Sequence, residues 1–155
     1  LESYSALASR SSRFLAFLVD GFISFLAIFA ISLISGIAKF STYFDPNRVN
    51  DFDMGSSTIS IICVIIFYIL IPTYVWKGQT IGKRWLKIAV IKTDDQEVNL
   101  ITMFIREIIA LLGYIKIPFL YYIVGFVALA DPFFIFSATR RTLHDRMAKT
   151  KVIDV

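Results

Sequence analysis

The stretch 10–39 constrains this chain more than any other, because the run Arg13-Phe14-Leu15-Ala16-Phe17-Leu18-Val19-Asp20 puts charge where the neighbouring residues exclude water. From Asp20 to Gly36 the chain stays apolar or small. With the preceding run this is long enough to cross a bilayer core, which needs about 20 mostly apolar residues. The segment reads as a membrane helix over 12–38. Arg13 sits near its start, and Asp20 follows two turns later, roughly 10 Å along the axis and on nearly the same face. An arginine there can extend back to the headgroups, whereas an aspartate is too short to do so. A carboxylate at such depth costs at least ~2.5 kcal/mol on insertion scales, so it faces protein or a wet cavity. Gly21, Ser24, Ser32 and Ser35 form a small-residue stripe on the same side that admits a second helix closely. Asp20 is therefore expected to point inward, and the fold to supply its partner.

Of the 155 residues 57% are hydrophobic and only 18% charged, below the 25% or so usual in a soluble domain. The expected fold class is an all-α polytopic membrane helical bundle with a small cytoplasmic β-hairpin or sheet element, in one domain over 1–155. The net charge is +4, but the cations cluster beside apolar segments, which points to topology and anionic lipid headgroups rather than to nucleic acid. Cys63, the single cysteine, lies in an apolar run and reads as a membrane-core residue, not a reactive thiol. A cleaved signal peptide is a poor account of the first apolar stretch, since an h-region is about 7–15 residues and this one is longer and contains Asp20. The chain opens on Leu1, so a preceding N-terminal piece is expected.

The first crossing is followed by a loop over 39–57, where Lys39 and Arg48 stand against Asp45, Asp51 and Asp53. Asp45-Pro46-Asn47 and Met54-Gly55-Ser56 are turn signals there, and the absence of a cationic excess places it outside. The second crossing spans 58–76, with Pro72 near its end and Tyr74 and Trp76 as interface anchors. Lys77, Lys83, Arg84, Lys87 and Lys92 then form a basic run, which puts 77–99 on the cytoplasmic side together with the N-terminus. Residues 86–92 and Glu97-Val98 flank Thr93-Asp94-Asp95-Gln96 as a hairpin, to which Val152-Ile153 could add a third strand.

Asn99 is placed to cap a helix with apolar positions Ile101, Phe104, Ile105, Ile108, Leu111 and Leu112, Arg106 and Glu107 lying together on the other side. A second apolar piece follows Lys116-Ile117-Pro118. Because the tail over 137–155 carries Arg140, Arg141, Arg146, Lys149 and Lys151, it too should be cytoplasmic. Residues 100–136 must then cross an even number of times, as two short or tilted helices forming a thin hairpin or a re-entrant pair.

Two roles are open to Asp20. One is a proton or cation carrier whose pKa is raised by desolvation; the other is a structural ion pair with Arg13, Arg106 or Lys116. Asp145 follows Thr142 at the spacing of a capping box, and capping is its expected work. Asp131-Pro132 fits a helix start with Asp131 as N-cap, and Asp131 could also pair with Arg140 or Arg141. His144, the single histidine, has no metal-ligand neighbours in sequence and reads as a packing or hydrogen-bonding residue. Gly78 and Gly82 are too close for a Walker loop, and Arg84 stands where Ser or Thr should follow the lysine. That segment is expected to be a tight turn with Lys83 and Arg84 on lipid headgroups. Neither a nucleophile–base arrangement nor a calcium-loop pattern stands out, so no catalytic residue, metal or cofactor is expected.

Arg13, Asp20, the segment Gly78-Gln79-Thr80-Ile81-Gly82-Lys83-Arg84 and the segment Thr142-Leu143-His144-Asp145-Arg146 together resemble the RDD family of small bacterial integral membrane proteins. That family is named for one arginine and two aspartates, the arginine at the start of the first membrane helix and the first aspartate within it. The resemblance spans nearly the whole chain and departs at Ile81, where members often have Pro, and at Phe133-Phe134-Ile135-Phe136. It implies a multi-pass module of the bacterial cytoplasmic membrane with a cluster of Arg13, Asp20, Arg106, Asp131 and Asp145, the last family aspartate being set at Asp145 rather than Asp131. The expected function is a non-enzymatic module that regulates or supports a membrane partner or its own oligomer. The alternative is a small Na+ or K+/proton antiporter working through Asp20.

Overall fold

The first helix, α1 (Arg10–Ile34), starts where Ser9 accepts a hydrogen bond from the Ser12 amide, and ends at Ser35 and a left-handed Gly36. Its buried residues are Arg13, Ala16, Asp20 and Ser32, whereas Phe22 (63% exposed), Phe25 and Ile34 point outward. A helix that turns its charges inward and its aromatics outward is built for an apolar surrounding, in which outward-facing side chains need no water. The computed structural model describes residues 6–37, 54–114 and 118–155. Most of the loop expected over 39–57, and Lys116 with the break beside it, lie outside the described residues.

Helix α2 (Met54–Val64) continues directly into a π-helical stretch, Ile65–Val75. Met54-Gly55-Ser56, expected to be a turn, instead forms the first helical turn. Pro72 lies inside the π-helical stretch and brings no amide to its ladder. Thr73 donates its hydroxyl to the Ile69 carbonyl at 2.6 Å, and the Pro72 carbonyl accepts from the Gly78 amide at 2.6 Å. Two helical spans, Arg10–Ile34 and Ser57–Val75, are long and apolar enough to cross a membrane.

The chain then turns through Gly78 (φ +87°), where a Cβ would collide with the Val90 carbonyl oxygen. A short helix, α3 (Ile81–Trp85), follows, its N-cap Thr80 accepting from the Lys83 amide. This helix replaces part of the turn expected there. Strand β1 (Ile88–Lys92) comes next, and beyond the turn at Asp94 and Asp95 the returning chain makes one bridge, Ile91 to Glu97. The main partner of β1 is β2 (Thr150–Asp154), antiparallel with Val90 opposite Val152, and Leu7 bridges Ile153 on the other side of β2. The C-terminal strand therefore contributes more than a third strand to a hairpin: it makes the sheet. Burial decides this, since Val152 (1% exposed) packs with Ile88 and Val90 in the core.

Asn99 caps α4 (Leu100–Gly113) by accepting from the Thr102 amide at 2.9 Å. The amphipathic pattern of α4 is also inverted: Ile101 (68% exposed) and Phe104 face out, whereas Arg106 is buried. Helix α5 (Pro118–Ala130) packs beside it and tightens into a 3-10 turn, Asp131–Phe136. The last helix, α6 (Leu143–Met147), leads into β2. The apolar core, made of Ala8, Ala16, Ile69, Ile88, Val90, Val98, Met103 and Val152, lies where the sheet meets α1, α4 and the π-helical stretch.

Candidate functional site

Two carboxylates, each on a separate set of donors, organise the interior. Asp145 is fully buried on α6, and its first ties are local: its side chain accepts from the Thr142 amide at 3.1 Å, while its own amide donates to the Thr142 hydroxyl, a complete capping box. Two arginines from distant helices then converge on it. Arg13 of α1 donates to one carboxylate oxygen and Arg106 of α4 to the other, so the charge of Asp145 is matched from both sides. Arg106 also donates to the Thr150 hydroxyl at 2.5 Å, and Arg13 to the carbonyl of Arg140, a residue in left-handed conformation (φ 50°). Burial by itself would raise the Asp145 pKa; Arg106, His144 and Arg13 outweigh it and hold the carboxyl well below its usual range. Among the described residues, Arg106 Nε has no partner.

Asp20 is held otherwise than its sequence suggested. Arg13 and Arg106 are both committed to Asp145, and Asp20 instead receives the N-terminal end of α3. Thr80 donates its hydroxyl to Oδ2 at 2.5 Å, the Gly82 amide donates to Oδ1 at 2.7 Å, and Lys83 Nζ stands 3.9 Å from Oδ2. Gly82 is needed for this contact, because a Cβ there would lie 2.5 Å from the Ala16 carbonyl oxygen and 3.1 Å from Asp20 Oδ1. The glycine-rich segment is thus a carboxylate clamp as well as a turn. Lys83, expected on lipid headgroups, turns inward, and burial pushes its ammonium below the ordinary lysine pKa against the opposing pull of Asp20. Arg84 stays exposed and stacks over the Trp76 ring at 5.1 Å.

Asp131 is buried, but the N-cap of its 3-10 turn is Ala130, and its partner is neither Arg140 nor Arg141. It takes His144, through the ring Nδ1 and through the backbone amide at 3.2 Å, while His144 Nε2 lies 3.0 Å from the Thr142 hydroxyl. Arg141 instead donates to the Thr150 carbonyl at 2.9 Å. The start of α6 delivers His144 to Asp131 through a turn whose path no local spacing encodes.

A cavity of about 490 Å³ joins these groups. Arg13, Asp20, Lys83, Arg106, Asp131 and His144 all line it, as do Tyr68, Tyr114, Phe17 and Phe25. Glu107, beside Arg106 on the polar side of an otherwise apolar helix, lines the cavity too, a carboxylate for which its sequence position alone offers no role. The expected stripe on α1 divides: Ser24 meets the Tyr68 hydroxyl at 3.0 Å and Ser32 is buried, whereas nothing lies within 4 Å of a Cβ placed on Gly21. Among the described residues no group of His, Cys, Asp and Glu is arranged to hold a metal ion.

Over 100 residues the chain is 36% identical to the uncharacterized protein YckC of Bacillus subtilis (strain 168), a match covering 64% of this chain and 62% of that relative's length. No solved structure matches. The model of the RDD family matches residues 7–149, a stretch that takes in the Asp20 clamp and both arginines on Asp145, and the chain belongs to that family.

Proposed function

We propose that this protein is a non-enzymatic integral membrane module that supports or regulates a membrane partner or its own oligomer. The observation that carries this reading is the saturation of Asp145: two arginines, a backbone amide and the Thr150 hydroxyl (3.3 Å) surround its carboxylate, leaving it locked as a structural joint. That joint ties the start of α1 and the middle of α4 to α6 and hence to the sheet, so the extramembrane part cannot move without the helices. In this reading α1 and the 57–75 span cross a bacterial cytoplasmic membrane with both termini cytoplasmic. Helix α4, with 14 residues, reaches about 21 Å, short of the ~30 Å hydrocarbon core, and packs with α5 as a short pair inside the bundle. Exposed Phe22, Phe126 and Leu129 then face lipid or a partner, and the basic segments face anionic headgroups. Mild-detergent affinity purification from native membranes, with cross-linking before lysis, tests it. Reproducible recovery of one membrane partner or of a defined oligomer is expected, and repeated recovery of bare monomer overturns it.

A second reading, a Na+ or K+/proton antiporter, draws on Asp20 lining the cavity with Lys83 beside it. Both oxygens of Asp20 already accept hydrogen bonds from Thr80 and Gly82, which favours the structural role. Proteoliposomes carrying a pH-sensitive dye separate the two: the antiporter requires cation-driven proton movement that Asp20→Asn abolishes.

A further inference from the structure

We propose that the cavity between α1, the π-helical stretch and α4 is a binding site for a hydrophobic organic cation, one positive head on an apolar body, with Glu107 as its counter-charge. The charge bookkeeping at the wall sets the sign. Asp145 behind the wall and Asp20, Glu107 and Asp131 on it make four carboxylates against three permanent cations, Arg13, Lys83 and Arg106; the two arginines sit on Asp145, Lys83 beside Asp20, and the His144 ring, charged only when protonated, on Asp131. Glu107 is the carboxylate left over: it lines the cavity half-buried, and among the described residues no hydrogen bond or ion pair engages it. Arg106, Lys83 and His144 act on Glu107 only from beyond ion-pair distance, so a half-buried carboxylate with no donor on it is left to be matched by a cation entering the cavity.

Size and lining set the body. About 490 Å³ lies within the range of small-molecule pockets, roughly 300–1,000 Å³, and far exceeds what a bare alkali ion fills. Phe17, Phe25, Ile28, Val64 and Ile109 supply apolar wall, and the rings of Tyr68 and Tyr114 stand on it as partners for a positive head. Tyr68 belongs to the π-helical stretch, a backbone form that is rare and concentrated at functional sites. Access runs beside Gly21, which lines the cavity, is exposed, and has open space where a side chain would begin. This assignment stands apart from the partner-supporting role and does not depend on it.

The test uses the full chain in phosphatidylcholine nanodiscs and tritiated tetraphenylphosphonium, read by scintillation proximity, with thermal unfolding recorded for each variant. Saturable binding is expected, weakened about tenfold or more in Glu107→Gln, the loss of one charge-assisted contact. Gly21→Leu, which fills the mouth at a helix-compatible position, should abolish binding while leaving the unfolding temperature unchanged or higher. Tyr114→Leu should weaken binding where Tyr114→Phe keeps it, since only the ring is required. Absence of saturable binding to the folded wild type overturns the assignment. So does binding that Glu107→Gln and Gly21→Leu leave intact, or displacement by equimolar NaCl, which would mark a simple ion site.

Discussion

Asp145 shows how one residue can serve short-range and long-range order together. Its capping box with Thr142 is local chemistry, worth about 1 kcal/mol, whereas the two arginines bring in helices that start far from it in sequence. Asp145→Asn removes the charge and leaves Arg13 and Arg106 buried without a counter-ion. Breaking a buried pair in this way costs about 3–5 kcal/mol, so the variant should unfold at a markedly lower temperature in detergent. The pH dependence has a definite sign. The folded-state pKa of Asp145 lies well below its ordinary value, so its contribution is fully present above the unfolded carboxylate value of about 3.9 and is lost as pH falls below that value toward the folded pKa. Thermal unfolding followed below pH 4 should show the wild type losing stability more steeply than Asp145→Asn. At Gly82 the constraint is space. Alanine there would press a methyl against the Ala16 carbonyl, and an overpacking loss of about 1–3 kcal/mol should appear in the same unfolding assay.

At the scale of elements, α1 and α4 share one rule: charge and small polar groups face inward, large apolar groups outward. Periodicity alone found the two faces of α4 but left their direction open, because an amphipathic helix in water and one in lipid carry the same spacing. The sheet follows a different logic. A lone hairpin is marginal, and what stabilises β1 is β2, which arrives from the far end of the chain and buries Val152 among Ile88, Val90 and Met103. Val152→Asp would place a carboxylate in that core and should destabilise the protein by more than about 3 kcal/mol. Limited proteolysis would then be expected to cut near Asp94 and Asp95 before any site in α1.

For the whole molecule, the outward apolar faces of α1 and α5 fit the membrane association to which the two long apolar spans point. Alkaline carbonate washing of membranes should leave the protein in the pellet, and release into the supernatant would contradict the membrane reading. Much of this was legible in the amino-acid order: two lipid-length spans, the inward Asp20, and the Asn99 and Thr142 caps all depend on residues within a few turns of one another. The exchange of partners was not legible. Arg13 lies two turns from Asp20 yet belongs to Asp145, 132 residues away, while Asp20 belongs to a glycine turn 62 residues on. Helical spacing says which side of a segment seeks a partner. Only the packing of α1 against α3 and of α4 against α6 decided which donor came within reach, because a buried charge takes the donor the fold brings to hydrogen-bond distance, and sequence proximity does not set that distance.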